Sequence, residues 1–252
     1  MKKIRFLSIV IVSIYLLLCT LLFVYQRNIL YAPSPQYNHQ YLSKIFHNEN
    51  ETIEVIVLNE GKQNGIIYFG GNGESVVHSA SDHMRNFPDH TIYLVNYRGY
   101  GGSSGTPKEQ AIYSDALHIY DQLSPKYKTI SVIGRSLGTG VATYIGSKRD
   151  INKMGLITPY DSIENVAKSR YPIFPTSLLL TDKYDSIGRI KNIKAKTLII
   201  LAENDSVIPL EHSERLIKAF SPKQIKVGII KNAGHNNLSR TKKYHKLLRE
   251  FM

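Results

Sequence analysis

The apolar run Thr129-Ile-Ser-Val-Ile133 passes directly into Gly134-Arg-Ser136-Leu-Gly138 and then into a helix-forming stretch. Few patterns leave a chain less freedom. A strand that meets a helix across five residues must turn sharply at the central serine. The residues two places to either side must then be small, so that strand and helix can pack closely. The serine is held in a strained backbone conformation with its hydroxyl clear of both elements. Ser136 is therefore a candidate nucleophile. The backbone N–H of Leu137 is a candidate donor to the oxyanion of an attacked carbonyl.

A nucleophilic serine needs a base and a group to orient that base. Thr197-Leu-Ile-Ile-Leu-Ala202 is an apolar, β-prone run followed at once by Glu203-Asn-Asp205-Ser-Val-Ile-Pro209 and a helical stretch, Leu210 to Phe220. Ile225 to Ile230 is a further strand candidate and leads into Lys231-Asn-Ala-Gly-His235. Asp205 and His235 thus each stand at the exit of an expected strand. Parallel strands present such exits along the edge where the Ser136 turn also lies. The roles follow: Ser136 as nucleophile, His235 as general base and then acid, and Asp205 as the carboxylate that fixes the imidazole tautomer. Glu203 and Asp161 are rival carboxylates, each close to a strand end.

Short apolar segments at 52–58, 65–69, 91–96, 129–134, 154–158, 197–202 and 225–230 alternate with helical stretches. That spacing predicts an α/β fold with a mostly parallel sheet and helices on both faces. The segment 52–58 reads as a half-exposed strand leading the sheet, and Pro107 suits the first turn of the helix that follows it. A second oxyanion donor is expected from Gly70-Gly-Asn72-Gly73, the turn after 65–69, through the Asn72 N–H. No Gly-Lys-Ser/Thr follows this turn, so a phosphate-binding loop is not indicated. Arg98 to Gly105 reads as a structural turn beside the site. From about 160 to 195 the alternation stops; Tyr160, Tyr171, Phe174 and Leu178-Leu-Leu180 fall here. This is the place of a short lid, whose apolar residues could line an acyl pocket and leave the site open.

Phe69-Gly-Gly-Asn-Gly, Asn96-Tyr-Arg-Gly-Tyr-Gly-Gly-Ser-Ser-Gly105, Ile133-Gly-Arg-Ser-Leu-Gly138, the 203–209 loop and Ala233-Gly-His-Asn-Asn237 occur in that order. As a set they resemble the membrane-anchored α/β-hydrolase-domain proteins, a group similar to serine aminopeptidase-like hydrolases and to membrane-bound protein deacylases. Tyr25-Gln26 and Ile29-Leu-Tyr-Ala-Pro33 resemble that family's junction between anchor and domain. Gly70 stands where the family usually carries histidine. The resemblance implies an α/β-hydrolase fold and the hydrolysis of esters, thioesters or amides. A serine hydrolase acting through an acyl-enzyme on an acyl ester or thioester, in a lipid or an acylated protein, is the leading expectation. It needs no cofactor and no metal. An aminopeptidase-like peptidase and a catalytically idle tethered scaffold are the alternatives.

From Phe6 to Gln26 there are 21 residues without a charge. At about 1.5 Å per residue such a helix spans the ~30 Å hydrocarbon layer. Residues 1–30 are accordingly expected to form a membrane anchor and 31–252 a hydrolase domain. Lys2, Lys3 and Arg5 precede the apolar stretch, so the N-terminus is expected in the cytoplasm and the domain outside it. No Ala-x-Ala site follows, which favours an uncleaved anchor over a signal peptide. The only cysteine, Cys19, lies within this stretch, so the domain has no disulfide and no catalytic thiol. The net charge of +12 suits anionic lipid head groups or acidic substrates as partners, and equally a solvated basic surface, whereas no nucleic-acid-binding motif accompanies it.

Overall fold

The computed structural model describes residues 2–252, and its centre is an eight-stranded sheet. The strands are β1 Leu42–Asn48, β2 Glu51–Leu58, β3 Asn64–Phe69, β4 His90–Val95, β5 Thr129–Arg135, β6 Lys153–Ile157, β7 Lys196–Ala202 and β8 Ile225–Ile230. Their spatial order is β1-β2-β4-β3-β5-β6-β7-β8. β1 and β2 pair antiparallel, as do β2 and β4; every pair from β4 to β8 is parallel. The helices are α1 Lys2–Leu30, α2 Ala80–Asn86, α3 Glu109–Leu123, α4 Leu137–Lys148, α5 Ile163–Arg170, α6 Thr176–Leu179, α7 Leu210–Ala219 and α8 Lys242–Phe251.

Side chains alternate across the sheet, and each face buries its own core. On β3, Ile67 and Phe69 join the core shared with α3, α4 and α7, whereas Ile66 and Tyr68 join the core shared with α2 and α8. β7 divides likewise, with Ile199 and Leu201 on the first face and Leu198 and Ile200 on the second. Each such side chain contributes about 1.5–3 kcal/mol by leaving water. Two-sided burial explains why the parallel strands read as continuous apolar runs rather than as alternating ones.

Two expectations are corrected at the leading edge. β1 precedes the strand expected to lead, and β2 is buried from Ile53 through Leu58 rather than half-exposed. In β1, Leu-Ser-Lys-Ile-Phe-His-Asn buries only Phe46, so its edge-strand polarity hides it from a hydrophobicity pattern. The hairpin turns at Glu49, a non-glycine residue with φ of +54°, without an Asn-Gly signal. Pro107 lies outside α3, whose N-cap is Lys108.

The helix α1 is long and apolar enough to cross a membrane. Its C-terminal half is not free. Tyr15 donates to the Ile173 carbonyl at 2.9 Å and stacks on Phe174. Gln26 donates to the Leu179 carbonyl and accepts from the N–H and hydroxyl of Thr181. Arg27 pairs with buried Asp182 at 2.9 Å, and Tyr31 donates to the same carboxylate. The C-terminal half of the first helix is therefore bound to residues 173–182, which follow α5.

Candidate active site

β5 ends and α4 begins on either side of Ser136, whose φ of +49° and ψ of −116° lie outside the regions that L residues favour. Two glycines make this possible. A Cβ on Gly134 would collide with the Gly138 carbonyl, and one on Gly138 with the Phe69 carbonyl. Holding a serine in such a conformation costs on the order of 1–3 kcal/mol, which the surrounding strands must offset. The Ser136 N–H donates to the Ile157 carbonyl on β6, fixing the turn to the sheet.

The structure brings Ser136, His235 and Asp205 together. His235 Nε2 lies 2.9 Å from Ser136 Oγ, and His235 Nδ1 lies 2.8 Å from Asp205 Oδ2. The other carboxylate oxygen, Oδ1, accepts from the N–H groups of Val207 and Ile208 at 2.9 and 2.8 Å. Asp205 thus presents one oxygen to the loop and one to the imidazole. Ser136 and His235 are both buried.

The rival carboxylates are engaged elsewhere. Glu203 accepts from the Asn232 N–H. Asp161, fully buried, binds His212 Nδ1 at 2.9 Å and Arg215 Nε at 2.6 Å. Burial works against its ionisation, but hydrogen bonds from Arg215, His212, Ser162 and Asn165 hold its carboxyl below the usual range. Ser169 lies 3.2 Å from His212 Nε2, so a second Ser-His-Asp chain exists. Ser169, however, sits in the last turn of α5, with the Tyr171 N–H two residues on bonded back to the Ala167 carbonyl. This chain ties α5 to α7 and has no such turn to present a donor.

Of the two expected oxyanion donors, Leu137 opens α4, where a helix N–H has no partner within its own helix. The Gly70–Gly73 turn lies against the serine: a Cβ on Gly71 would stand 3.5 Å from the Ser136 Cβ. The Gly71 N–H is taken by Glu74 Oε2 at 2.8 Å, which leaves Asn72 as the next N–H in the turn.

Three supports of this turn carry no sequence signal. Glu74 pairs with Arg135 at 3.0 Å, and Arg135 also donates to the His235 carbonyl at 3.2 Å. Burial opposes the Arg135 charge, but Glu74 beside it raises the guanidinium pKa on balance. One partly buried ion pair therefore joins the glycine turn, the serine turn and the histidine loop. Tyr97 donates to the Gly70 carbonyl, and Tyr100 to the Asn72 side-chain oxygen at 2.8 Å. Burial pushes the Tyr100 phenol up to about 12, keeping it a donor. The Asn72 side chain also donates to the Leu30 carbonyl and accepts from the Ala32 N–H. The turn is thus gripped by the end of α1.

A cavity of about 360 Å³ opens on Ser136. Tyr160, Val166, Tyr171, Phe174 and Leu179 line one side, and Leu22, Ile29 and Leu30 of α1 line the other. The site is less open than a short lid alone would leave it, because α1 supplies a wall. Leu178, expected among the lining residues, points outward instead and is 82% exposed.

No family model matches the chain. Among curated proteins it is similar to a putative alpha/beta hydrolase of Acanthamoeba polyphaga mimivirus, 31% identical over 185 residues, covering 70% of this chain and 68% of the relative. It is also similar to lysophosphatidylserine lipase ABHD12 of Bos taurus, 31% identical over 192 residues, covering 64% and 48%. The chain spans about half the length of this lipase and 53% of the first mycobacterial relatives it matches. Among solved structures, an esterase of Pyrococcus furiosus superposes with a TM-score of 0.69 at 16% identity, covering 87% of this chain and 98% of that one.

Proposed function

Because the chain belongs to the α/β-hydrolase family and has its fold, we propose that it is a membrane-anchored serine hydrolase that cleaves acyl esters or thioesters. One observation carries this function: the Ser136 hydroxyl is 2.9 Å from an imidazole whose other nitrogen is 2.8 Å from a carboxylate. His235 takes the hydroxyl proton as Ser136 Oγ attacks the acyl carbon. Charge developing on the carbonyl oxygen is held by the N–H groups of Leu137 and Asn72. His235 then protonates the departing alcohol or thiol, and an acyl-Ser136 remains. Water, deprotonated by His235, releases the acid and restores the serine. Asp205 keeps Nδ1 protonated and stabilises the imidazolium.

The apolar walls of the cavity support an acyl chain as the group beside Ser136. The bovine relative's name as a lysophosphatidylserine lipase supports an acyl lipid as substrate. A peptidase that reads a free amine would place a carboxylate in this cavity; its lining residues, among those described, include no Asp or Glu. Residues 1–30 serve as anchor, 31–252 as catalytic domain, and 160–195 as lid. The charge preceding Phe6 directs the domain to the outer side of the membrane.

A fluorophosphonate probe labels Ser136 in the native protein. Ser136→Ala abolishes labelling and turnover together; labelling that persists in this variant overturns the assignment.

A further inference from the structure

Between Arg170 and Asp182 run eleven residues without a charge, Tyr171-Pro-Ile-Phe-Pro-Thr-Ser-Leu-Leu-Leu-Thr181. Their large side chains do not all turn inward. Ile173 is 71% exposed and Leu178 82%, the highest values for large apolar residues outside α1, and neither lines the cavity. An exposed apolar tip of this kind calls for an occupant. The neighbouring helix identifies it.

Phe6 to Gln26 is only just long enough to cross the hydrocarbon, so no part of it can be spared for the aqueous side. Tyr15 lies eleven residues before Gln26, about 16 Å along a helix axis at ~1.5 Å per residue. It is Tyr15 that stacks on Phe174 and donates to the Ile173 carbonyl. With α1 across the membrane, the tip must therefore descend with it toward mid-bilayer.

Most of the tip's backbone N–H groups, all but those of Ile173 and Ser177, are satisfied as such a place requires. Hydrocarbon offers no hydrogen bonds, so polar backbone groups must be satisfied within the protein. Pro172 and Pro175 have no N–H to satisfy. The N–H groups of Tyr171, Phe174, Thr176, Leu178, Leu179 and Leu180 all donate to carbonyls of residues 167–176. Carbonyls that would otherwise face outward receive side chains: Ile173 from Tyr15, Ser177 from Lys183, and Leu179 from Gln26. Exposed Lys168 and Arg170 flank the tip at its base, where anionic head groups would meet them.

We propose that residues 171–180 form a second membrane-inserted element, embedded in the leaflet next to the catalytic domain, and that it admits an acyl chain from that leaflet directly to Ser136. The proposal rests on α1 being the membrane anchor. Tyr171, Phe174 and Leu179 of the tip and Leu22 of α1 line the same cavity. The chain accordingly passes between two elements that both stand in hydrocarbon, and its apolar surface need not cross water.

The test uses the full chain with Cys19→Ser, reconstituted in vesicles of phosphatidylcholine and phosphatidylglycerol, with a bimane label on Leu178→Cys or, separately, on Val10→Cys. The label at 178 is expected to be quenched by doxyl-labelled lipids and shielded from aqueous iodide. Quenching by iodide and not by lipid overturns the proposal. If the label at 10 is also open to iodide, the anchor itself has failed and the proposal falls with it. A second arm compares palmitoyl and acetyl esters of one coumarin phenol. Leu178→Asp is expected to lower turnover of the vesicle-borne palmitoyl ester about tenfold, through the cost of a carboxylate in hydrocarbon, with acetyl ester turnover unchanged. Equal loss on both esters, or no loss on either, overturns it. Failure of every ester to turn over would overturn the hydrolase function while leaving the fluorescence arm intact.

Discussion

At Ser136 the backbone and the side chain are specified by different parts of the molecule. Two glycines and a hydrogen bond to β6 hold the turn, while His235 and Asp205 arrive from loops 99 and 69 residues later in the chain. Asp205→Asn should leave the fold intact but favour the wrong imidazole tautomer. Turnover of a soluble ester is expected to fall about 10³–10⁴-fold with urea stability little changed, measured by steady-state kinetics and denaturation in parallel. These three side chains were legible in the chain because each directly follows a strand-forming run, and parallel strands end on a common edge. Arg135 and Glu74 were not. They pair across 61 residues of sequence, in turns without periodicity, and nothing local marks either as a partner. Glu74→Leu should leave the partly buried Arg135 charge unpaired, lowering unfolding free energy by about 1–2 kcal/mol in urea melts.

At the scale of elements, legibility follows burial. Strands covered on both faces announce themselves by apolar runs, and β3 through β8 lie within a residue or two of where those runs predict them. β1, an edge strand with one buried side chain, does not. Helices short of two turns, such as α6, likewise lack the length to display a period. α2 illustrates what an element's environment does to chemistry. His83 packs against Tyr68 and Phe87, and burial pushes its pKa down to about 4. Because the unfolded histidine titrates near 6.5, the unfolded chain binds more protons between these values, and stability falls as pH drops through this window. The full loss is on the order of 3 kcal/mol. His83→Leu should flatten the pH dependence of the urea midpoint between pH 4 and 6.5; an unaltered slope would refute the cause.

At the scale of the whole molecule, α1 docks on residues 173–182, a contact that no sequence pattern reveals because it joins residues about 155 apart. Arg27 and Tyr31 both converge on Asp182, whose side chain is 6% exposed. Arg27→Met removes the charge that balances this carboxylate. Discounted for the partly exposed arginine, the cost is about 1–2 kcal/mol, seen as a lowered urea midpoint. The same variant should expose residues 171–181 to limited proteolysis. Proteolysis confined elsewhere would place the latch in another part of the molecule.

The grip of Asn72 on Leu30 and Ala32 has a consequence for how such a chain can change. One residue inserted into a helix turns everything beyond it by about 100°. Such an insertion before Gln26 would leave the stretch equally apolar, yet would swing Tyr15 away from Phe174 and the Ile173 carbonyl. The helix is therefore not interchangeable with any greasy segment of equal length: its rotational phase sets which residues wall the cavity beside Ser136.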